Sequence, residues 1–346
     1  MLYFYIDNII GAIPHDFGGI MLLFLIIAIS IVVLGKGSDI LVDNAVKLSL
    51  KWGVPKMIIG ATIVSLGTTL PEFSVSVMSA INGLPGIALG NAVGSVICNT
   101  GLIIGIASIL NPLPFKKDII DSQSFFQLAS GILLIISSLL DVFVTRMNPF
   151  NEGSILPQWI GFVFLSLLFI HIIMIIKSAK LSGFEQEVNS ADKTPMLTIL
   201  FQLLLGIILI ILSSKILIPS VKEFAQCIHI PDSVIAATVV AFGTSLPELI
   251  TAITASRKGH GDLVLGNILG ANVLNILFVI GTSVTIKHAG LNVDKRFFIV
   301  QFPAMLFILL IFHGGVNLSK GSIKRPVGII LLVTYIMVII SSYIFA

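Results

Sequence analysis

The sequence predicts an all-α polytopic membrane protein: ten transmembrane helices arranged as two inverted five-helix repeats. Three observations carry that prediction. The 346 residues are 56% hydrophobic and only 11% charged, outside the range of soluble globular domains. Apolar runs of about 20 residues, the length that crosses a hydrocarbon core of ~30 Å, recur from end to end. A long, specific segment returns 176 residues later without a gap.

The predicted spans are 17–50, 55–82, 86–110, 123–144, 155–177, 196–222, 231–257, 262–286, 297–314 and 326–345. The first is longer than a crossing needs, and its end reads as interfacial. The opening MLYFYIDNII has no basic residues ahead of its apolar ones, so it reads as part of the mature chain rather than a signal peptide. Cys98 and Cys227 lie in or beside spans and read as buried free thiols, not a disulfide framework. The net charge of +3 is spread over short loops with no basic arm, so the expected surroundings are a lipid bilayer and no nucleic acid. Loops on the side of the two termini carry six basic residues (Arg146, Lys215, Lys222, Lys287, Lys295, Arg296), and the opposite loops carry thirteen, among them Lys51, Lys56, Lys258 and Arg325. By the positive-inside rule the larger set is cytoplasmic and both termini face outward. The compact loops suit a prokaryotic inner membrane.

The repeat is read by laying the chain on itself. VPKMIIGATIVSLGTTLPE falls on IPDSVIAATVVAFGTSLPE, ALGNAVGSVICN on VLGNILGANVLN, and Gly105 on Gly281. The domain reading follows: 1–177 is the first five-helix repeat with its motif at 60–105, and 196–346 is the second with its motif at 236–281. The polar segment 178–195, opening SAKLSGFEQEVNSADKT, is a cytoplasmic linker. An odd number of spans per half makes the second copy cross in the opposite sense. Inverted repeats of this kind are a recurrent transporter architecture, with the site near the midplane on interrupted helices.

Within the motif, Glu72 and Glu248 sit mid-span, where an ionised carboxylate costs a few kcal/mol and marks an ion or proton path. Pro71 and Pro247 remove an amide donor and push away the carbonyls of Gly67 and Gly243, so each helix is expected to break at its middle. Bare backbone at that depth is tolerated only where it is buried in protein or lines a cavity. Thr68 and Glu72 share a helical face, as do Thr244 and Glu248, with Thr69 and Ser245 beside them. The following span adds Asn91, Ser95 and Asn99; its counterpart has Asn267, Ala271 and Asn275. These are hard oxygen donors without a Cys/His cluster, which suits Ca²⁺ or alkali ions rather than zinc or copper. Gly86, Gly90, Gly94, Gly266 and Gly270 read as small faces for close helix packing.

Charge restricts the function further. Two carboxylates are neutralised by one Ca²⁺, by two or three Na⁺, or by two protons. An empty, doubly charged site is costly to carry past a low-dielectric barrier. The site must therefore exchange ions, which favours an antiporter over a channel. No constellation of an intramembrane hydrolase accompanies the acids, so no enzyme activity and no cofactor beyond the transported ions is expected.

GATIVSLGTTLPE with GNAVGSVICN, and AATVVAFGTSLPE with GNILGANVLN, resemble the two alpha repeats of the cation/calcium exchanger superfamily. They are most similar to its sodium/calcium exchanger branch of prokaryotic type. The motif match covers about 100 residues, and the span pattern covers the whole chain. The resemblance implies ten helices, alternating access, and Ca²⁺ export driven by inward Na⁺. It also implies ion ligands at Glu72, Thr68, Thr69, Ser95 and Asn99 of the first repeat, and at Glu248, Thr244, Ser245 and Asn275 of the second. Backbone oxygens at Ser65 and Ala241 match ligand positions, with Gly94 and Gly270 close by. Two departures stand out: Ala271 where the branch often has serine, and Asn275 where several relatives carry aspartate. The first removes a hydroxyl from a sodium site and the second weakens a potassium dependence. The runner-up is a H⁺-coupled exchanger for Ca²⁺ or another divalent cation. That branch resembles itself in an acid shortly after Gly-Asn, and here Gly90-Asn91 and Gly266-Asn267 lead to none.

Overall fold

Long apolar runs satisfy their backbone internally and become the longest helices. The computed structural model describes residues 9–14, 17–145, 148–181, 194–227 and 241–344. Helix α1 is Phe17–Trp52, 36 residues, or about 54 Å at ~1.5 Å per residue, which agrees with a first span that overshoots the bilayer. Lys56–Thr68 (α2) and Leu70–Ile81 (α3) form a pair bent by 48°. Pro85–Leu110 (α4), Leu113–Pro114 (β1), Lys117–Thr145 (α5), Pro149–Glu152 (α6), Ser154–Leu156 (β2) and Gln158–Leu181 (α7) follow. The second half contains Met196–Cys227 (α8), Ala241–Thr244 (α9), Leu246–Arg257 (α10), Gly261–Thr285 (α11), Leu291–Val293 (β3), Phe297–Leu318 (α12), Ser322–Ile323 (β4) and Arg325–Ile344 (α13).

Among the described residues, eight helices are long and apolar enough to cross a membrane, and the bent pair α2–α3 makes a ninth. The protein is thus a polytopic helical membrane protein. Of the predicted span 231–257, only the part from Ala241 onward is described; residues 231–240 lie outside the described residues, as do 182–193 of the linker. Elements recur at the offset read from the sequence: α3 and α10 are 12 residues each, and Pro85–Cys98 and Gly261–Leu274 are 14 each.

Two small ribbons correct the purely helical expectation. β1 pairs with β4 through Leu113↔Ile323 and Pro114↔Ser322, and β2 with β3 through Ser154↔Val293, Ile155↔Asn292 and Leu156↔Leu291. Each ties a connection in one half to a connection in the other. Strands of two or three residues carry no readable alternation, so the apolar pattern could not announce them.

The polarity of the interior is what a lipid solvent demands. α11 is buried almost throughout, from Leu263 to Leu274. Phe24 and Val32 on α1, Phe169 on α7, Phe201 on α8 and Met337 on α13 are exposed. The buried set includes Ser38, Ser65, Thr68, Glu72, Asn99, Glu248, Asn272 and Asn275. Small residues let two backbones meet at the centre. A Cβ on Gly266 would stand 2.0 Å from the Met57 carbonyl oxygen, and one on Gly270 would stand 2.5 Å from that of Ala61 and 2.7 Å from Ser65 Oγ. α2 therefore lies directly on α11. Gly86 differs from the packing expectation: nothing lies within 4 Å of a Cβ there, and Gly90 meets only Phe297 at 3.9 Å. Gly86 sits in the first turn of α4, off the crossing. Cys98 is buried as expected, but Cys227, at the end of α8, is only partly so.

The turn between α10 and α11 is pinned by charge. Lys258 Nζ lies 3.0 Å from Asp39 Oδ1 and 2.9 Å from Asp43 Oδ1, joining the turn to α1. Burial opposes the charge on Lys258, but the hydrogen bonds and charges of the two aspartates outweigh it and hold its pKa above the ordinary lysine value. Beside it, Lys56 Nζ approaches His260 Nδ1 at 3.2 Å. Burial first, and then the Lys56 ammonium, push the His260 imidazole below its usual range.

Gly266→Ala drives a Cβ into backbone and is expected to destabilise the protein by about 1–3 kcal/mol, while Gly86→Ala stays within about 0.5 kcal/mol. Thermal unfolding of both variants in one detergent reads the difference, and equal melting points would contradict the crossing at Gly266. A histidine held neutral in the fold contributes stability that is complete above its unfolded pKa of ~6.5 and declines as pH falls toward the lowered folded value. Melting curves from pH 8 to 5 should therefore fall less steeply for His260→Gln than for the unchanged protein.

Candidate functional site

The centre of the molecule is built where two helices are interrupted in the same way. Pro71 and Pro247 lie in the first turn of α3 and α10. The residues before those helices, Thr69 (φ −80°, ψ −5°) and Ser245 (φ −88°, ψ 4°), take turn-like backbone. The break expected at the glycines falls two residues later. The Thr69 amide still bonds the Ser65 carbonyl at 2.9 Å, so the helix runs through Gly67 and stops where the proline and its restricted predecessor forbid another turn. The break puts Thr68–Thr69 and Thr244–Ser245 at helix ends, with Glu72 and Glu248 in the first turn of the next helix, near the positive end of its dipole.

Both acids are fully buried, and they stand close enough to feel each other's charge. Among the described residues no Lys or Arg pairs with either. Their neighbours come from opposite halves. Ser245 Oγ lies 3.3 Å from Glu72 Oε1 and 3.2 Å from Ser95 Oγ, and Ser95 also faces Glu72. Thr68 and Thr69 face Glu248 from beyond hydrogen-bonding geometry, leaving Glu248 Oε1 and Oε2 without a partner. The threonines cross-link the halves: Thr244 Oγ1 donates to Asn91 Oδ1 at 2.9 Å, and Thr68 Oγ1 to Asn267 Oδ1 at 3.3 Å.

Sequence grouping placed Asn91 beside Ser95 and Asn99 as a donor, but its side chain is fully engaged. Asn91 Nδ2 donates to Ser76 Oγ at 2.9 Å and to the Glu72 carbonyl at 3.2 Å, while its oxygen accepts from Thr244. It braces the break, tying Ser76 and the Glu72 carbonyl of one half to Thr244 of the other. Among the buried oxygens of the described residues that lack a partner, six belong to residues of this centre: Thr69 Oγ1, Glu72 Oε2, Asn99 Oδ1, both carboxylate oxygens of Glu248, and Asn275 Oδ1. Buried polar atoms are almost always satisfied, so open oxygens from both halves gathered around two acids mark a candidate site. A hard cation that takes only oxygen fits this donor set.

Asn99 and Asn275 each open a π-helical segment, Asn99–Ile103 and Asn275–Ile280. π-bulges concentrate at functional sites, and neither was legible from the sequence. Another residue that the sequence reading passed over is Asn272. Its position in the first half is Val96, which carries no polar group. Its signal was its spacing, one turn before Asn275. Ser65 is buried beside Gly270. Ala241 opens α9. Gly94 lies inside α4, and Ala271 is buried in α11.

Comparisons with known proteins converge. A family model described as sodium/calcium exchanger protein matches residues 22–177 and 198–344. The sodium/calcium exchanger MaX1 of Methanosarcina acetivorans is 31% identical over 341 residues, covering 90% of this chain and 96% of that protein. Inner membrane protein YrbG of Escherichia coli is 32% identical over 282 residues, covering 80% and 82%. The fold is similar to that of the sodium-calcium exchanger NCX_Mj soaked with 2.5 mM Na⁺ and 0.1 mM Ca²⁺: TM-score 0.77, 28% identity, 92% of this chain and 98% of that one.

Thr244→Val strands the Asn91 oxygen in the interior and is expected to cost about 1–3 kcal/mol. Chemical or thermal unfolding of the purified variant checks this, and an unchanged midpoint would mean the cross-link carries no stability.

Proposed function

The chain belongs to the sodium/calcium exchanger protein family, and on that premise we propose that it is a secondary antiporter exchanging Na⁺ for Ca²⁺ by alternating access at a midplane site built on Glu72 and Glu248. The observation that carries this reading is the pair of fully buried acids, without a basic partner, surrounded by unpartnered oxygens. Two like charges brought together in low dielectric need a counter-charge. One Ca²⁺ supplies it, and so do two or three Na⁺ sharing the same oxygens. The ligands in this reading are Glu72, Glu248, Thr68, Thr69, Thr244, Ser245, Ser95, Asn99 and Asn275, with backbone oxygen at Ser65 and Ala241 and close approach at Gly94 and Gly270. Thr68 and Thr244 already bind asparagines across the halves, so their hydroxyl oxygens would accept the ion through their remaining lone pairs. Ala271 brings no hydroxyl, which lowers the oxygen count on the second-half side.

The inverted-repeat reading, with domains 1–177 and 196–346 joined by 178–195, is supported by the common element boundaries and by the crossed threonine–asparagine pairs. The sorting of loops onto two sides is supported by which loops meet, and the positive-inside rule then assigns the sides. Lys51 donates to the Thr194 carbonyl, Asn111 to Ser256 O, and Arg325 to Ile109 O, gathering loops assigned to the cytoplasm. Lys287 donates to Ile81 O and Gln158 to Thr285 O, gathering loops assigned to the outside. In this orientation both termini face outward, in a prokaryotic inner membrane.

The test is ⁴⁵Ca²⁺ uptake into proteoliposomes under an outward sodium gradient. Glu72→Gln and Glu248→Gln should each abolish uptake while remaining monodisperse in detergent. Full activity in both variants would refute the site, and uptake driven by a pH gradient in sodium-free buffer would move the assignment to a proton-coupled exchanger.

A further inference from the structure

The two asparagines that open the π segments are not equivalent. Asn275 has neither Oδ1 nor Nδ2 satisfied, whereas Asn99 lacks a partner only at Oδ1. The difference traces to one residue. Asn99 Nδ2 donates to Asn272 Oδ1 at 3.1 Å, and Asn272 Nδ2 donates onward to Thr100 Oγ1 at 2.8 Å. All three side chains are fully buried. The π segment that Asn99 opens packs against α10, which carries Glu248, and against α11, which carries Asn272.

We propose that Asn272 is a positioning residue of the cation site: by taking up the amide N–H of Asn99, it turns Asn99 Oδ1 toward the cation. An asparagine next to a cation has two faces. Presented by its oxygen it is a ligand; presented by its NH₂ it repels the ion and removes one coordination. The two faces have nearly the same shape, so packing alone does not choose between them. A hydrogen-bond acceptor placed on the far side does. Asn272 is that acceptor, and Thr100 fixes its orientation by accepting its N–H in turn. On the other side Val96 occupies the equivalent position and offers no acceptor, which leaves the Asn275 amide free to rotate. One amide of the cage is therefore a fixed oxygen and the other an adjustable one. This inference rests on the proposed cation site and adds a specific orienting residue to it.

The experiment is a double-mutant cycle on the full chain purified in detergent, reading Ca²⁺ affinity by isothermal titration and the half-saturating Ca²⁺ and maximal rate by sodium-driven flux. Asn272→Val copies the residue of the first half and should weaken Ca²⁺ binding by about 10–100-fold, with the change in half-saturation much larger than that in maximal rate. Asn99→Asp makes orientation irrelevant, because a carboxylate shows oxygen on both sides. In that background the same Asn272→Val substitution should change affinity by less than about threefold. An equal loss in both backgrounds would make Asn272 merely structural, and no loss in the unchanged background would remove its role; either result overturns the proposal. Should Asn272→Val fail to fold, Asn272→Asp and Thr100→Val carry the test. The first keeps the acceptor and should retain affinity; the second releases the anchor and should lose it, and the opposite order would overturn the assignment. An unchanged chain with no saturable Ca²⁺ binding would defeat the site itself, an outcome distinct from a binding chain indifferent to Asn272.

Discussion

Two carboxylates held within range of each other's charge, deep in a molecule whose outer surface is matched to hydrocarbon, set the terms for everything around them. Neither has a basic side chain as partner among the described residues. In low dielectric such a pair is far from neutral in energy, and the protein surrounds it with hydroxyls, amides and helix N-termini rather than with lysine or arginine. A permanent basic partner would satisfy the charge and close the site. Oxygen donors leave it open, as the proposed exchange of cations requires. The same requirement explains the helix breaks. An unbroken helix would bury its polar backbone in its own ladder, whereas Pro71 and Pro247 bring helix ends and their dipoles to the acids.

Close backbone contact is the second condition. The two interrupted helices must bring short side chains such as Thr69, Ser245 and Ser95 into reach of each other, and a layer of large apolar residues between them would hold them apart. Gly266 and Gly270 remove that layer where α2 crosses α11. The contacts across the crossing are then hydrogen bonds between halves, with Thr68 on Asn267 and Thr244 on Asn91. The polar centre is thus cross-braced, and each bond links one half's break to the other half's following helix. Around it, α1 and α8 cross closely at Gly37 and Gly206 and present phenylalanine, leucine and isoleucine outward. The pair forms a lipid-facing wall beside the polar centre.

Two departures from symmetry stand out, one at a proposed ligand and one behind a proposed ligand. The acids, the threonines and the asparagines that open the π segments are all paired by the repeat. Ser95 corresponds to Ala271 in the repeat, and Val96 to Asn272. The first pair subtracts a hydroxyl from the second half. The second pair gives one amide a fixed orientation and leaves the other without one.

By itself the sequence determined the solvent, the repeat and the chemistry. Hydropathy places a chain in lipid because transfer energies add residue by residue. The 176-residue offset exposes the repeat because identity is carried by the order of residues. Glu72 and Glu248 announce themselves because an acid in an apolar span is too costly to be incidental. Only the tertiary structure decided which donors are spent and which are free. Asn91 and Asn99 look alike in the sequence, four-residue steps along one face. Yet the first has both polar atoms bonded to Ser76, Glu72 and Thr244, while the second keeps an open oxygen. The π segments, the break at Thr69 rather than Gly67, the ribbons joining the halves and the partnership of Asn272 with Asn99 were equally hidden. Each depends on a partner more than a hundred residues away or on one shifted backbone bond, and local pattern carries no record of either.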